Sequence, residues 1–241
     1  MIYRVEPEIF ERFPQFYRGV VVARGIDNSR DNPEPARLLR EQEERIRAEE
    51  AGDLSIHPRL AAWMETYRNL GVHSGKNTPA VVFLVQRIRD GKSIPSISPV
   101  VDLFNWTSLK HLVPAGGDSV DHLTGDLTLG LARGIEVFSS LAKPHLVEHP
   151  EVGEVIYVNR RSNRVLCRRW NWRNADFSKV TRESRCVVLN VDGMTTAIGR
   201  EEIEQATETL ALTILRFCHG VVSTHYLSCE RPEAEILKQA A

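Results

Sequence analysis

The sequence predicts an α+β fold, a mixed sheet core flanked by helices. Apolar residues recur at helical spacing towards both ends of the chain, short apolar runs bounded by Gly, Asn and Asp fill its centre, and 241 residues at 42% hydrophobic content bury a core of their own. One compact body is expected, with no internal repeat and no low-complexity linker.

The first element is Gly19-Val20-Val21-Val22-Ala23, an apolar run that suits a buried strand. The breaker cluster Asp31-Asn32-Pro33-Glu34-Pro35 follows, then a highly charged stretch from Ala36 to Glu50. Glu41 with Arg45 and Glu43 with Arg47 form i,i+4 pairs in the favourable orientation, so a solvated helix is expected there. His57-Pro58 opens a second helix, with Pro58 first, Leu60, Trp63, Met64 and Tyr67 on one face, and Gly71 past its end. In a third, Thr78 is the expected N-cap, Pro79 the first residue, Val82, Val85 and Ile88 the apolar face, and Gly91 the stop. These faces call for a sheet to pack on.

Pro95 to Pro99 reads as extended, and Val100 to Leu112 as a helix that Pro114 must end. Strands are expected at Leu127 to Leu131, Val155 to Val158, Arg164 to Arg168 and Val187 to Val191. The last helix carries Ile203, Ala206, Leu210, Ile214 and Phe217 at helical spacing, Glu201 and Glu202 in its first turn, Arg216 and His219 in its last, and Gly220 beyond.

A formal net charge of −1 leaves no whole-molecule field to attract a polyanion, so any nucleic-acid contact depends on clustered charge. Cys167, Cys186, Cys218 and Cys229 are widely spaced with no C-x-x-C pair and read as reduced thiols, mostly core. The opening residues lack the apolar core of a signal peptide and no stretch nears the roughly 20 apolar residues of a membrane span, so a cytoplasmic protein without membrane partners is expected.

The charge is clustered in one place. From Arg160 to Arg173 the chain holds six arginines and two tryptophans in fourteen residues, and from Tyr157 to Arg185 nine positive charges meet two negative ones, so the remainder carries −8. Guanidinium groups bind phosphate in two-pronged fashion and indoles stack on bases, which suits a single-stranded RNA end. The alternative is that Trp170 and Trp172 cover the sheet while the arginines pair with acidic residues. A second segment, Val100-Val101-Asp102-Leu103-Phe104-Asn105-Trp106 followed by Pro114-Ala115-Gly116-Gly117-Asp118, places Asp102 and Asn105 on one helix face and offers a Gly-Gly pair where backbone amides can approach a ligand. Gly116-Gly117 as an ordinary turn, and Asp102 as a partner of nearby backbone, are the competing readings. His145 and His149 have metal-like spacing, but Pro144 and Pro150 flank them, so no metal is expected. Gly71-Val72-His73-Ser74-Gly75-Lys76 lacks phosphate-loop spacing, and with no dinucleotide fingerprint either, no cofactor is expected.

Taken in order, the run Val100 to Trp106 with Pro114 nine residues after Asn105, the stretch Gly153 to Val158, and Ser178-Lys179-Val180-Thr181 resemble the B3/B4 editing domain of the phenylalanyl-tRNA synthetase β subunit. Arg169-Trp170-Asn171-Trp172-Arg173 resembles a subset of solo B3/B4 proteins that occur without a synthetase body. The likeness covers roughly residues 60 to 220. It implies a B3/B4-like α+β domain at 60–241, with residues 1–59 as an N-terminal strand and charged helical extension packed on it. It also implies a cleft that hydrolyses the ester of a wrongly aminoacylated tRNA; 241 residues are too few to hold the domains that carry aminoacylation in the synthetase, so no ligase activity is expected of them. Asn105 carries over from the family's cleft, whereas the position of its His is Gly116 and that of its tyrosine-reading Glu is Asn190. The family's Gly-rich wall is replaced by Trp170 to Ala175.

The expected activity is therefore a trans-acting aminoacyl-tRNA deacylase, in which Asn105, Gly116 and Gly117 orient carbonyl and water. Asp102, Trp106, Asp118, Arg168, Arg169, Trp170, Asn171, Trp172, Arg173, Lys179, Thr181 and Asn190 are the expected substrate or RNA contacts. The partner would be the aminoacylated 3′ end of a tRNA, with no DNA. A non-catalytic tRNA-binding module, and a ligand-binding domain that keeps only the scaffold, stay open beside it.

Overall fold

The computed structural model describes residues 1–29, 31–49, 56–72 and 77–237. Part of the glycine-containing segment compared above with a phosphate loop, His73-Ser74-Gly75-Lys76, lies outside the described residues, as does Glu50 at the end of the charged stretch.

The strands are β1 (Ile2–Val5), β2 (Phe16–Arg24), β3 (Ala115–Ser119), β4 (Leu127–Leu131), β5 (Phe138–Ser140), β6 (Lys143–Glu148), β7 (Val155–Asn159), β8 (Arg164–Arg168), β9 (Arg173–Asn174), β10 (Cys186–Met194), β11 (Val221–Leu227) and β12 (Glu233–Glu235). The helices are α1 (Pro7–Arg12), α2 (Pro33–Ala48), α3 (Pro58–Asn69), α4 (Ala80–Arg89), α5 (Pro99–His111) and α6 (Arg200–Cys218). The fold is α+β, with strands ordered β12-β1-β4-β7-β8-β9 in a first sheet and β11-β2-β10-β3 in a second, beside a β5-β6 hairpin. Only β1 and β4 run parallel among the described pairs. The first 24 residues supply an inner strand to each sheet, since β1 lies between β12 and β4, and β2 between β11 and β10.

Period-two alternation sorts the second sheet's side chains onto two faces. Val21 and Ala23 of β2 with Val187, Leu189 and Val191 of β10 pack under α5 and α6, against Val100, Leu103, Ile203, Leu210 and Ile214. Gly19 is fixed by that packing, because a Cβ there would lie 1.9 Å from Thr207 Oγ1 on α6. The opposite residues, Val20 and Val22 with Val188, join Tyr3, Leu127, Leu129 and Tyr157 of the first sheet in the central core. The sheets therefore face each other across a shared interior, with α3 and α4 contributing Trp63, Val81 and Val85 to it.

Three local expectations are corrected. Asp31 to Pro35 reads as a breaker, but α2 starts at Pro33, because Asn32 caps it by accepting from Glu34 N at 3.0 Å and prolines fit a first turn whose amides have no helical partner. The same helix is not merely solvated: Glu43 is fully buried and accepts from Ile94 N at 2.7 Å and from Arg40 and Arg47, while Glu41 pairs with Arg37 rather than Arg45. Finally, α4 begins at Ala80 without the Thr78 cap, since the Asn171 carboxamide accepts from Ala80 N at 3.2 Å. A tertiary partner has taken the role of a local one.

Candidate functional site

Polar residues occupy the inner face of the second sheet where apolar ones would close the core. On β10 they are Asn190 and Asp192, two apart and thus on one face; Asn190 lies opposite Gly116 of β3 on one side and Val20 of β2 on the other, and Asp192 opposite Arg18. Asp118 stands two residues beyond Gly116 on the same face. Facing them are Tyr157, Cys167 and Asn174, a cross-strand row of the first sheet. With α4 giving Phe83 and Leu84, α5 giving Phe104 and Asn105, and Trp170 to Arg173 closing the side, these residues enclose a cavity of about 530 Å³. That is within the range of small-ligand sites, roughly 300–1,000 Å³.

The cavity floor is electrically balanced at one point and open at another. Arg18 donates to both Asp192 oxygens at 2.6 and 2.7 Å and packs against the rings of Tyr3, Phe16 and Tyr157. Burial works against its charge, and the Asp192 carboxylate together with Tyr3 and Tyr157 outweighs that, so the guanidinium holds its proton more tightly than usual. Asp118 has no such counter-ion in contact among the described residues; burial raises it to about 7, against the Ser178 hydroxyl and Arg18, which both work to lower it. Burial also pushes the Cys167 thiol far above its ordinary value, which leaves it protonated and a poor nucleophile.

Residues that line the cavity also carry unpaired polar atoms: Asn190 Oδ1, Asn171 Nδ2 and Trp170 Nε1 are buried without a hydrogen-bond partner among the described residues. The Asn171 assignment is set by its other end, because Ala80 N can only donate and Oδ1 accepts from it. Gly116 leaves room, since a Cβ there would meet nothing within 4 Å, whereas one at Gly117 would lie 2.4 Å from Val188 O. Both are strand residues of β3 rather than a turn. Val120 N bonds Cys186 O at 2.9 Å and Ser119 N turns out to Ser178 O at 2.8 Å, so alternation turns the Gly117 amide to the free edge of the sheet as well.

The expected site residues divide accordingly. Asn105, Gly116, Gly117, Asp118, Trp170, Asn171, Trp172, Arg173 and Asn190 line the cavity; Asp102, Trp106, Arg168, Arg169, Lys179 and Thr181 do not. Asp102 turns back to accept from Ser96 Oγ and Ile97 N, the nearby-backbone alternative, and Trp106 is buried beneath Lys110. Lys179 pairs with Asp176, and Thr181 is tied into a turn by Ser184 and Glu183. The arginines meet carboxylates: Arg168 holds Glu154 through two bonds and Glu148 at 2.8 Å, Arg173 pairs with Glu148, and Arg160 joins Glu6 to Glu136. Trp170 is a core residue, edge-on to Phe13, Phe16 and Trp63, and Trp172 carries the guanidiniums of Arg169 and Arg173 near its ring. The local +7 is thus largely compensated by acidic residues that are distant in sequence.

The B3/4 domain matches residues 62–226 of the 241-residue chain. The chain belongs to the B3/4 domain family. Among solved structures, an N-terminal fragment of the phenylalanyl-tRNA synthetase β-subunit from Pyrococcus horikoshii aligns at 11% identity with a TM-score of 0.47, covering 91% of this chain and 49% of that one. The chain therefore spans about half the length of that fragment. No curated protein matches it. The B3/4 match includes Asp192 but stops short of Arg18, so the buried ion pair of the floor joins the family segment to the N-terminal strand. Sequence reasoning missed Arg18 and Asp192, and with them Tyr157, Cys167, Phe83 and Phe104. The available signals were a lone charge beside an apolar strand run and a second polar residue two positions after Asn190. Among the described residues no three His, Cys, Asp or Glu side chains group as metal ligands, and no helix is long and apolar enough to cross a membrane.

Proposed function

We propose that this chain is a trans-acting aminoacyl-tRNA deacylase whose cavity receives the aminoacyl ester at a tRNA 3′ end. The observation that carries the reading is the convergence of Asn105 on α5, Gly116 and Gly117 on β3, and Asn171 to Arg173 in one cavity of about 530 Å³. Ester hydrolysis needs a positioned water and donors for the tetrahedral oxyanion. The Asn105 carboxamide and the edge-facing Gly117 amide are two such donors, and the apolar walls Phe83, Leu84 and Phe104 bury the rest of the ligand. Gly116 and Asn190, where the resemblance places the family's His and Glu, are direct cross-strand neighbours. The pair makes that end of the cavity roomier and uncharged, so selectivity for an amino acid other than tyrosine follows.

The test is deacylation of a panel of mischarged tRNAs by purified protein beside an Asn105→Ala control. Cleavage of at least one ester is expected, with the variant slower by about 10²-fold, as for loss of one oxyanion donor. A panel left intact relative to buffer rejects the reading. The internal pairing of Arg168 and Arg173 favours a second one, a ligand-binding domain on the same scaffold. In that case Arg168→Ala and Arg173→Ala lower stability and leave tRNA affinity unchanged.

A further inference from the structure

Five carboxylates are buried among the described residues: Glu43, Asp102, Asp118, Glu136 and Asp192. Four have both oxygens engaged. Asp192 is held by Arg18, Glu43 by Arg40, Arg47 and Ile94 N, Asp102 by Ser96 and Ile97 N, and Glu136 by Arg160 and Arg133 N. Asp118 differs. Its Oδ1 accepts from Ser178 Oγ at 2.6 Å, and no other hydrogen bond among the described residues reaches the carboxyl, although the residue is only 3% exposed. It lines the cavity with Asn105 and Gly116. A buried carboxyl with one oxygen anchored and the other uncommitted at a ligand cavity is poor structural economy, and it is the arrangement a proton-transfer group requires.

We propose that Asp118 is the general base of the deacylation, oriented by Ser178; the assignment rests on the deacylase reading above. The Asp118 carboxylate removes a proton from water as the water oxygen bonds to the ester carbonyl carbon, and the carbonyl oxygen takes the negative charge beside Asn105 and Gly117. Collapse re-forms the carbonyl and breaks its bond to the ribose oxygen. Asp118 returns the proton to that oxygen. One water is consumed, and the free amino acid and the tRNA 3′ hydroxyl are released.

The charged and titratable groups beside Asp118 are Arg18 from β2, Tyr3 from β1, Tyr157 from β7 and Cys167 from β8. The tyrosines and the thiol are held neutral by burial, and Arg18 is committed to Asp192, so none titrates near neutrality or fixes Asp118 in its ionised form. Its affinity for a proton, lifted by burial to about 7, matches ambient pH, where a base works best.

The experiment is the pH–rate profile of single-turnover cleavage, on the ester found in the panel, for wild type, Asp118→Asn and Ser178→Ala. Folding of each variant is checked by circular dichroism, and the Asp118 carboxyl is followed by ¹³C NMR in labelled protein. Wild-type rates are expected to rise with pH and level near 7. Asp118→Asn should lose that inflection and at least about 10² in rate, and Ser178→Ala should move the inflection upward, because it removes a donor that favours the carboxylate. A folded Asp118→Asn variant that keeps the rate and the inflection overturns the assignment while leaving the deacylase standing. A carboxyl resonance titrating below pH 5 overturns it without reference to activity, and a wild type inactive across the panel overturns both.

Discussion

At Gly116 and Gly117 two identical side chains do opposite work. Gly117 cannot carry a Cβ without pressing on Val188 O and Leu189, so Gly117→Ala is expected to cost about 1–3 kcal/mol in urea unfolding. Gly116→Ala meets open space and should stay within about 0.5 kcal/mol of wild type. Asp118 makes a prediction of opposite sign. Its folded-state proton affinity is raised from 3.8 to about 7, so the native state binds more protons than the unfolded chain across that window, and stability falls as pH rises through it. Asp118→Asn should therefore match wild type near pH 4 and exceed it at pH 8, by on the order of 4 kcal/mol. Equal stabilities at both pH values count against a buried, strained carboxyl. Such residues are only half legible in a sequence: Asn105 and Gly116 stand in a recognisable run, but nothing in the order of residues says that Asp118 loses its water while Asp121, three positions on, keeps it.

At the scale of elements, β2 shows how far one strand's meaning depends on its neighbours. The run Gly19 to Ala23 announces a buried strand, and it is one, yet Arg18 just before it is buried as deeply because β10 places Asp192 directly opposite. Arg18→Leu leaves that carboxylate uncompensated and is expected to cost about 3–5 kcal/mol by denaturant melting. Helix α4 makes the same point at its start. The sequence offers Thr78 as cap, and the structure uses Asn171, which also accepts from Tyr67. Asn171→Ala should cost about 1 kcal/mol and loosen the cavity wall, whereas Thr78→Ala should be near neutral. Helices α2 to α6 and strands β2, β4, β7, β8 and β10 were readable because their periodicity is local, whereas β1, α1, β3, β5, β6, β9, β11 and β12 were not; the partners that complete the ends and polar faces lie far along the chain.

For the whole molecule the deciding quantity is where charge goes. The arginines between 160 and 173 stand out in the sequence as a binding stripe, and the fold brings Glu6, Glu136, Glu148 and Glu154 to meet them. The wild type should therefore bind tRNA with a shallow salt dependence, and Glu148→Gln, which uncovers Arg173 and part of Arg168, should steepen the slope of log affinity against log salt by about one. An unchanged slope would mean that neither guanidinium reaches a phosphate even when released. By itself the sequence determined the α+β class, helices α2 to α6, strands β2, β4, β7, β8 and β10, and the B3/4 resemblance. Hydrophobic period, capping residues and motif spacing are all written in neighbouring positions. Which charges are spent inside the protein, and which polar atoms remain for a ligand, only the tertiary structure decided. Ion pairing and desolvation depend on through-space neighbours, and here those neighbours are set by two sheets whose strands come from opposite ends of the chain.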